Sequence, residues 1–64
     1  MHADPIEKII NALADIEPAT ATAVADKLYY SPALVLTELL AAEGLGYVSH
    51  TVDSKWDTWK WWLA

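Results

Sequence analysis

Apolar residues recur at spacings of three and four along the first part of the chain, which is the pattern of an amphipathic helix. Pro18 ends this stripe, so the pattern predicts a first helix over residues 5–16. Asp4 at the N-cap and Pro5 at the first helical position indicate where the helix begins. The apolar stripe consists of Ile6, Ile9, Ile10, Leu13 and Ile16. We therefore expect one face of this helix to lie in the core.

The second predicted helix is short and covers residues 20–28. Either Thr20 or Thr22 can cap it, because both hydroxyls precede its apolar positions and can accept a hydrogen bond from the backbone. Its buried side is expected to carry Val24, Ala25 and Leu28.

The third helix is predicted over residues 32–43, since Ser31 and Pro32 provide a capping residue and a first-turn proline, and Gly44 is placed to end it. The residues expected to face inward are Val35, Leu39 and Ala42. The outward arc, at about 100° per residue, then consists of Ala33, Thr37, Leu40 and Ala41, flanked by Leu34, Leu36, Glu38 and Glu43. A competing register would turn Leu36 and Leu40 inward and expose Val35 and Leu39.

After the third helix the pattern changes to one typical of strands. Residues 47–52 have high strand propensity, Asp53 opens a turn, and residues 56–63 are expected to return as the second strand of a hairpin over 45–63. Alternation places Trp59, Trp61 and Leu63 on one face of the return strand and Trp56, Thr58, Lys60 and Trp62 on the other. At least one of these tryptophan pairs is therefore expected outside the core.

The order of helix, short helix, longer helix and hairpin resembles the winged helix-turn-helix superfamily. The six residues between Leu28 and Val35 fit the turn between its second and third helices, and the segment 44–48 stands where the chain enters the wing. More narrowly, the chain looks like the small winged-helix proteins of bacterial ferrous-iron transport operons, through segments 21–28 and 60–63 and the apolar third helix. Those proteins often carry a cysteine cluster in the wing, and this chain has no cysteine, so no iron–sulfur role is carried over.

Length and charge narrow the possible functions. Sixty-four residues, 55% of them apolar, are enough for one small α+β domain over residues 1–64. The longest mostly apolar stretch, 32–42, is too short to span a bilayer, and we expect a cytoplasmic protein without membrane contacts. The formal net charge is −5, opposite in sign to that of typical nucleic-acid-binding domains.

The winged-helix resemblance implies DNA binding, with the third helix in the major groove. The residues available for phosphate and base contacts would be Lys27, Thr37, Lys55 and Lys60. However, the outward arc of the third helix contains no Arg, Lys, Asn or Gln, the residues that read base edges through paired hydrogen bonds. DNA binding therefore remains the alternative interpretation.

The apolar outward arc favours a surface that binds another protein or a second copy of the chain. The residues predicted for this contact are Leu34, Thr37, Leu40, Ala41, Trp56 and Trp62. Tyr29, Tyr30 and Tyr47 are further candidate anchors, because aromatic residues contribute strongly to interfaces. For any single aromatic residue, packing in the core is the competing interpretation.

Residues suited to catalysis or metal binding are few. Ser49 and His50 are neighbours on a predicted strand, so their side chains point to opposite faces and cannot form a nucleophile and base. Asp53 and Asp57 can approach His50 across the hairpin as metal ligands, but solvated charge near a turn is the favoured interpretation. We therefore expect no catalytic residue, no metal and no cofactor.

Overall fold

The computed structural model describes residues 5–64, which form three α-helices followed by a two-stranded antiparallel sheet. The helices are α1 (Pro5–Ile16), α2 (Ala21–Leu28) and α3 (Pro32–Gly44), and the strands are β1 (Val48–His50) and β2 (Trp61–Leu63). A single 3₁₀ turn, Trp56–Thr58, lies between the strands. The helix bounds agree with the sequence predictions to within one residue, and the architecture is α+β.

Side-chain caps define where α2 and α3 begin. Of the two candidate caps of α2, Thr20 is used: its hydroxyl accepts a hydrogen bond from the Ala23 amide at 3.1 Å. Ser31 caps α3 in the same way, accepting from the Leu34 amide at 3.4 Å. The predicted cap of α1, Asp4, lies outside the described residues.

The core lies where the three helices meet the sheet. Val35, Leu39 and Ala42 are fully buried, which confirms the predicted register of α3, whereas Leu40 is 44% exposed. On α1, Ile9 and Leu13 are buried and the other stripe residues are less so, with Ile16 at the exposed edge. The remaining buried residues are Ala12, Ala19, Ala21, Val24, Ala25, Val48 and Trp61.

The predicted return strand over residues 56–63 is mostly wrong. Only Trp61–Leu63 is a strand, and it pairs with Val48–His50 so that Val48 faces Leu63 and His50 faces Trp61. Local hydrogen bonds curl the preceding segment instead: the Asp53 carboxylate accepts from the Ser54 amide at 2.7 Å and from the Thr58 hydroxyl at 3.1 Å. These contacts satisfy polar groups that an extended strand would have to pair across the hairpin.

A third segment, between α1 and α2, lies beside β2. The Ala19 amide donates to the Trp61 carbonyl at 3.0 Å, and the Trp61 amide donates to the Ala19 carbonyl at 2.7 Å. This bridge fixes the α1–α2 connection against the sheet and places Trp61 in the middle of three neighbouring segments. Within residues 5–64, no helix has the length and apolar character needed to cross a bilayer.

Candidate interaction surface

The side of α3 that points away from the core is uncharged along its length. We call Ala33, Leu34, Thr37, Leu40 and Ala41 the α3 outer face; all five are exposed. Pro32 and Gly44, at the two ends of the helix, are the other exposed residues of α3. This face of the helix thus consists of alkyl groups and a single hydroxyl, with the half-buried Glu38 and Glu43 at its edges.

Two leucines are the large side chains of the α3 outer face. Leu34 is 41% exposed and Leu40 is 44% exposed, while Ala33, Thr37 and Ala41 are short and lie between them around the helix. Thr37 donates its hydroxyl hydrogen to the Ala33 carbonyl at 3.0 Å, so its polarity is partly used within the helix. The surface consequently has little capacity for directional hydrogen bonding.

The two carboxylates that flank this surface are half-buried. Glu38 lies on one side of the helix and Glu43 on the other, near the C-terminal end of α3. Glu43 is engaged with His50 of β1: Oε2 of the carboxylate accepts a hydrogen bond from Nδ1 of the imidazole at 2.6 Å. One of the two flanking charges is therefore held towards the sheet.

His50 is the centre of an aromatic cluster that the sequence did not predict. Its ring stacks on Trp59 with centroids 4.4 Å apart and lies 4.5 Å from the ring of Trp61. Together with the hydrogen bond from Glu43, these contacts connect the end of α3 to both sides of the hairpin. The seven-residue separation of Glu43 and His50 has no recognisable motif, so no sequence signal could have identified the pair.

The predicted aromatic anchors differ widely in exposure. Trp56 is 39% exposed and Trp62 is half-buried, so each presents part of its ring to solvent. Tyr29 is 96% exposed and Tyr47 is 53% exposed, whereas Tyr30 packs partly against the core. The aromatic residues are therefore divided between several places in the fold, and the α3 outer face itself is aliphatic.

The lysines proposed for phosphate contacts are accompanied by carboxylates. Lys27 lies 3.7 Å from Asp15 of α1, in an exposed ion pair. Lys55 and Lys60 are exposed in the segment between the strands, the segment that also carries Asp53 and Asp57. An exposed pair of this kind stabilises the fold by roughly 0–1 kcal/mol and reduces the local positive potential. The arrangement is poorly suited to binding a polyanion.

The metal site considered for Asp53, Asp57 and His50 is not formed by the described residues. His50 faces Glu43 rather than Asp53 or Asp57, and Asp53 is used in the turn contacts with Ser54 and Thr58. Between residues 5 and 64, no group of three or more His, Asp or Glu side chains is arranged to hold a metal ion.

A shallow depression of about 320 Å³ lies where the end of the sheet meets α1. Its lining residues are Ile10, Gly46, Tyr47, Leu63 and Ala64. These residues bring no carboxylate, imidazole or ammonium side chain into the depression. Apart from Tyr47, the lining residues have aliphatic side chains or none, so the depression is mostly apolar.

Comparisons of the chain with family models, with curated proteins and with solved structures found no match. Function is therefore inferred from the residues of the surface and not from a relative.

Proposed function

We propose that this chain is a small, acidic winged-helix protein that acts as a regulator or adaptor. It binds a protein partner, either another protein or a second copy of the chain, through the α3 outer face and the tryptophan-containing wing, residues 45–63. The order of elements supports the winged-helix assignment, as does the bridge of Ala19 to Trp61, which adds a short third segment to the sheet. The observation that carries the function is the run of uncharged residues on the exposed side of α3, the α3 outer face, between the half-buried Glu38 and Glu43. Contiguous apolar surface on a small protein is typical of interaction sites.

DNA binding, the alternative function, receives less support from the same surface. The only polar side chain of the α3 outer face, Thr37, already donates its hydrogen to the helix backbone. Lys27 is paired with Asp15, and the net charge of −5 opposes approach to a polyanion. The chain offers a major groove neither the paired donors of base recognition nor a clear row of cations.

The test of the proposed function places a photo-crosslinking residue at Thr37 and, as a control, at the exposed Ala14 of α1. Crosslinked protein adducts should form in the native host from position 37 and not from position 14. They should disappear when Leu40→Glu is added, because a carboxylate would be buried unpaired in the contact. Identical adducts from both positions, or adducts unaffected by Leu40→Glu, would contradict the proposal.

A second arm of this test addresses DNA directly. In a mobility-shift assay at about 0.15 M salt, the chain should not shift random duplex DNA at micromolar protein, because non-specific affinity comes from cations that this surface lacks. A shift that weakens steeply with salt and is lost when Lys55 and Lys60 are replaced by Gln would establish the DNA-binding alternative instead.

A further inference from the structure

We propose that the partner of the α3 outer face is a second copy of the chain, with the two α3 helices packed antiparallel about a two-fold axis that passes beside Thr37. This inference rests on the proposed function, because it names the occupant of the same surface. It is carried by the distribution of large and small side chains on that surface, which is complementary to itself.

The complementarity follows from helix geometry. A two-fold axis beside Thr37 makes the two helices run in opposite directions. A residue that lies a given number of positions before Thr37 in one copy is then level with the residue that lies the same number of positions after Thr37 in the second copy. Leu34 and Ala41 lie three and four residues from Thr37 in opposite directions, so Leu34 meets Ala41 of the second copy within one residue rise, about 1.5 Å. By the same operation, Leu40 meets Ala33 of the second copy.

The sides of the helix match as well. At about 100° per residue, Leu34 and Ala41 lie on one side of Thr37, and Leu40 and Ala33 lie on the other. The two-fold axis brings each side of the helix against the same side of the second copy. On both sides, therefore, a leucine of one copy projects over an alanine of the other. Alanine opposite leucine lets two helices approach and fill the space between them.

Charge sets the expected salt dependence of the contact between two copies. Exposed charged residues lie on the other helices, among them Glu7 and Asp15 on α1 and Asp26 on α2. The five residues of the α3 outer face are uncharged, but the axis beside Thr37 brings the half-buried Glu38 of both copies to the same edge of the contact. This pair and the net charge of −5 on each chain repel the two copies, and salt screens that repulsion, with a Debye length of about 8 Å at 0.15 M. Homodimerisation should therefore strengthen as salt is added.

The size of the surface sets the expected affinity. A standard interface covers about 800 Å² on each partner, which is a fifth of the accessible surface of 4043 Å². The α3 outer face has five residues, against about 20–30 on each side of a standard interface, so the dimer should be weak and reversible, with half of the chains paired at roughly 0.1 mM.

Sedimentation velocity of the full chain tests the dimer. From about 10 µM to about 1 mM protein, the mean mass should rise from the 7.1 kDa monomer towards twice that value, and more steeply at about 0.5 M than at about 0.05 M salt. Ala41→Glu should weaken association at least about tenfold, because its carboxylate would be buried against Leu34. Ala14→Glu is the matched control: it makes the same change at an exposed position of α1 and should associate like the wild type.

Mixing variants tests the register. Leu34→Lys and Ala41→Glu should each be monomeric alone at low salt and should form a mixed dimer when combined, since the axis places position 34 of one copy against position 41 of the other. Leu34→Lys mixed with Ala33→Glu carries the same charges in the wrong register and should remain monomeric. Urea titration of each variant verifies that it is folded.

Each other outcome contradicts the homodimer. A wild-type chain that is monomeric at about 1 mM in both salts, equal behaviour of Ala41→Glu and Ala14→Glu, or equal association of both mixtures would each overturn it. If the chain is monomeric while Thr37 still crosslinks to another protein, the homodimer is wrong and the proposed function stands. If the chain is monomeric and Thr37 gives no adducts, both are wrong.

Discussion

Leu39 and Leu40 show how strongly position decides the role of a residue. The two side chains are identical and adjacent, but Leu39 is fully buried and Leu40 is 44% exposed. The sequence alone left two registers open, because α3 is apolar on nearly every side. Packing of α3 against the other helices and β1 resolves the choice in favour of Val35 and Leu39 as inward residues.

Glutamate substitutions at these two positions should therefore have opposite effects on folding. Leu39→Glu should unfold the domain, since it buries an unpaired charge in a core without disulfides. Leu40→Glu should melt close to the wild type, because exposed substitutions usually change stability by about 0.5 kcal/mol or less. Thermal melts followed by circular dichroism at a protein concentration below that of association compare the two. Tolerance of Leu39→Glu together with unfolding of Leu40→Glu would require the competing register.

At the level of elements, the helices could be predicted from the sequence, whereas the hairpin after α3 could be predicted only in part. Thr20, Ser31 and Pro32 are local signals, and the apolar period of α1 is strong, so their elements follow from neighbouring residues. The alternation after Trp56 resembles a strand, but Asp53 binds Ser54 and Thr58 and curls the chain. Local hydrogen bonds of this kind compete with strand pairing, and alternation does not reveal them.

The contact between α3 and the two-stranded sheet was also not predictable from the sequence. Glu43 was placed beside the outward arc and His50 was considered with Asp53 and Asp57, whereas the folded chain brings Glu43 and His50 together over two indole rings. Such a pairing depends on how α3 and β1 are oriented in three dimensions. The helical period placed Leu40 outward in one of the two registers that the sequence left open, whereas no local pattern placed Glu43 against His50.

Removing the imidazole of His50 should weaken the packing of α3 against the sheet and lower the stability of the domain. His50→Ala should lower the free energy of unfolding by about 1–3 kcal/mol, because it removes two ring contacts and the hydrogen bond from Nδ1 to Glu43. Ser49→Ala, on the other face of the same strand, should change it by less than about 1 kcal/mol. Urea unfolding followed by tryptophan fluorescence measures both. Equal losses in the two variants would show that the cluster adds nothing to stability.

For the whole molecule, Trp61 is the residue on which the separate parts converge. It is fully buried, it exchanges two backbone hydrogen bonds with Ala19, and it faces His50 across the sheet. Its indole nitrogen is buried and, among the described residues, has no hydrogen-bond acceptor, at a cost of about 1–3 kcal/mol. The packing of the largest side chain in the core outweighs that cost, because the other buried residues are smaller and five of them are alanines.

Truncating Trp61 should consequently remove a large part of the stability of the domain. A chain of this length is stable by roughly 3–10 kcal/mol, and Trp→Ala in a core costs about 3–5 kcal/mol, so Trp61→Ala should unfold at a much lower urea concentration than the wild type, or be unfolded without urea. Trp56→Ala is the matched control, since that indole is 39% exposed and its loss should leave a cooperative transition. Urea titrations followed by far-ultraviolet circular dichroism compare the variants with the wild type. If Trp61→Ala instead unfolds cooperatively at the wild-type midpoint, the helices alone hold the core together. The sheet would then contribute no more to stability than the exposed indole of Trp56.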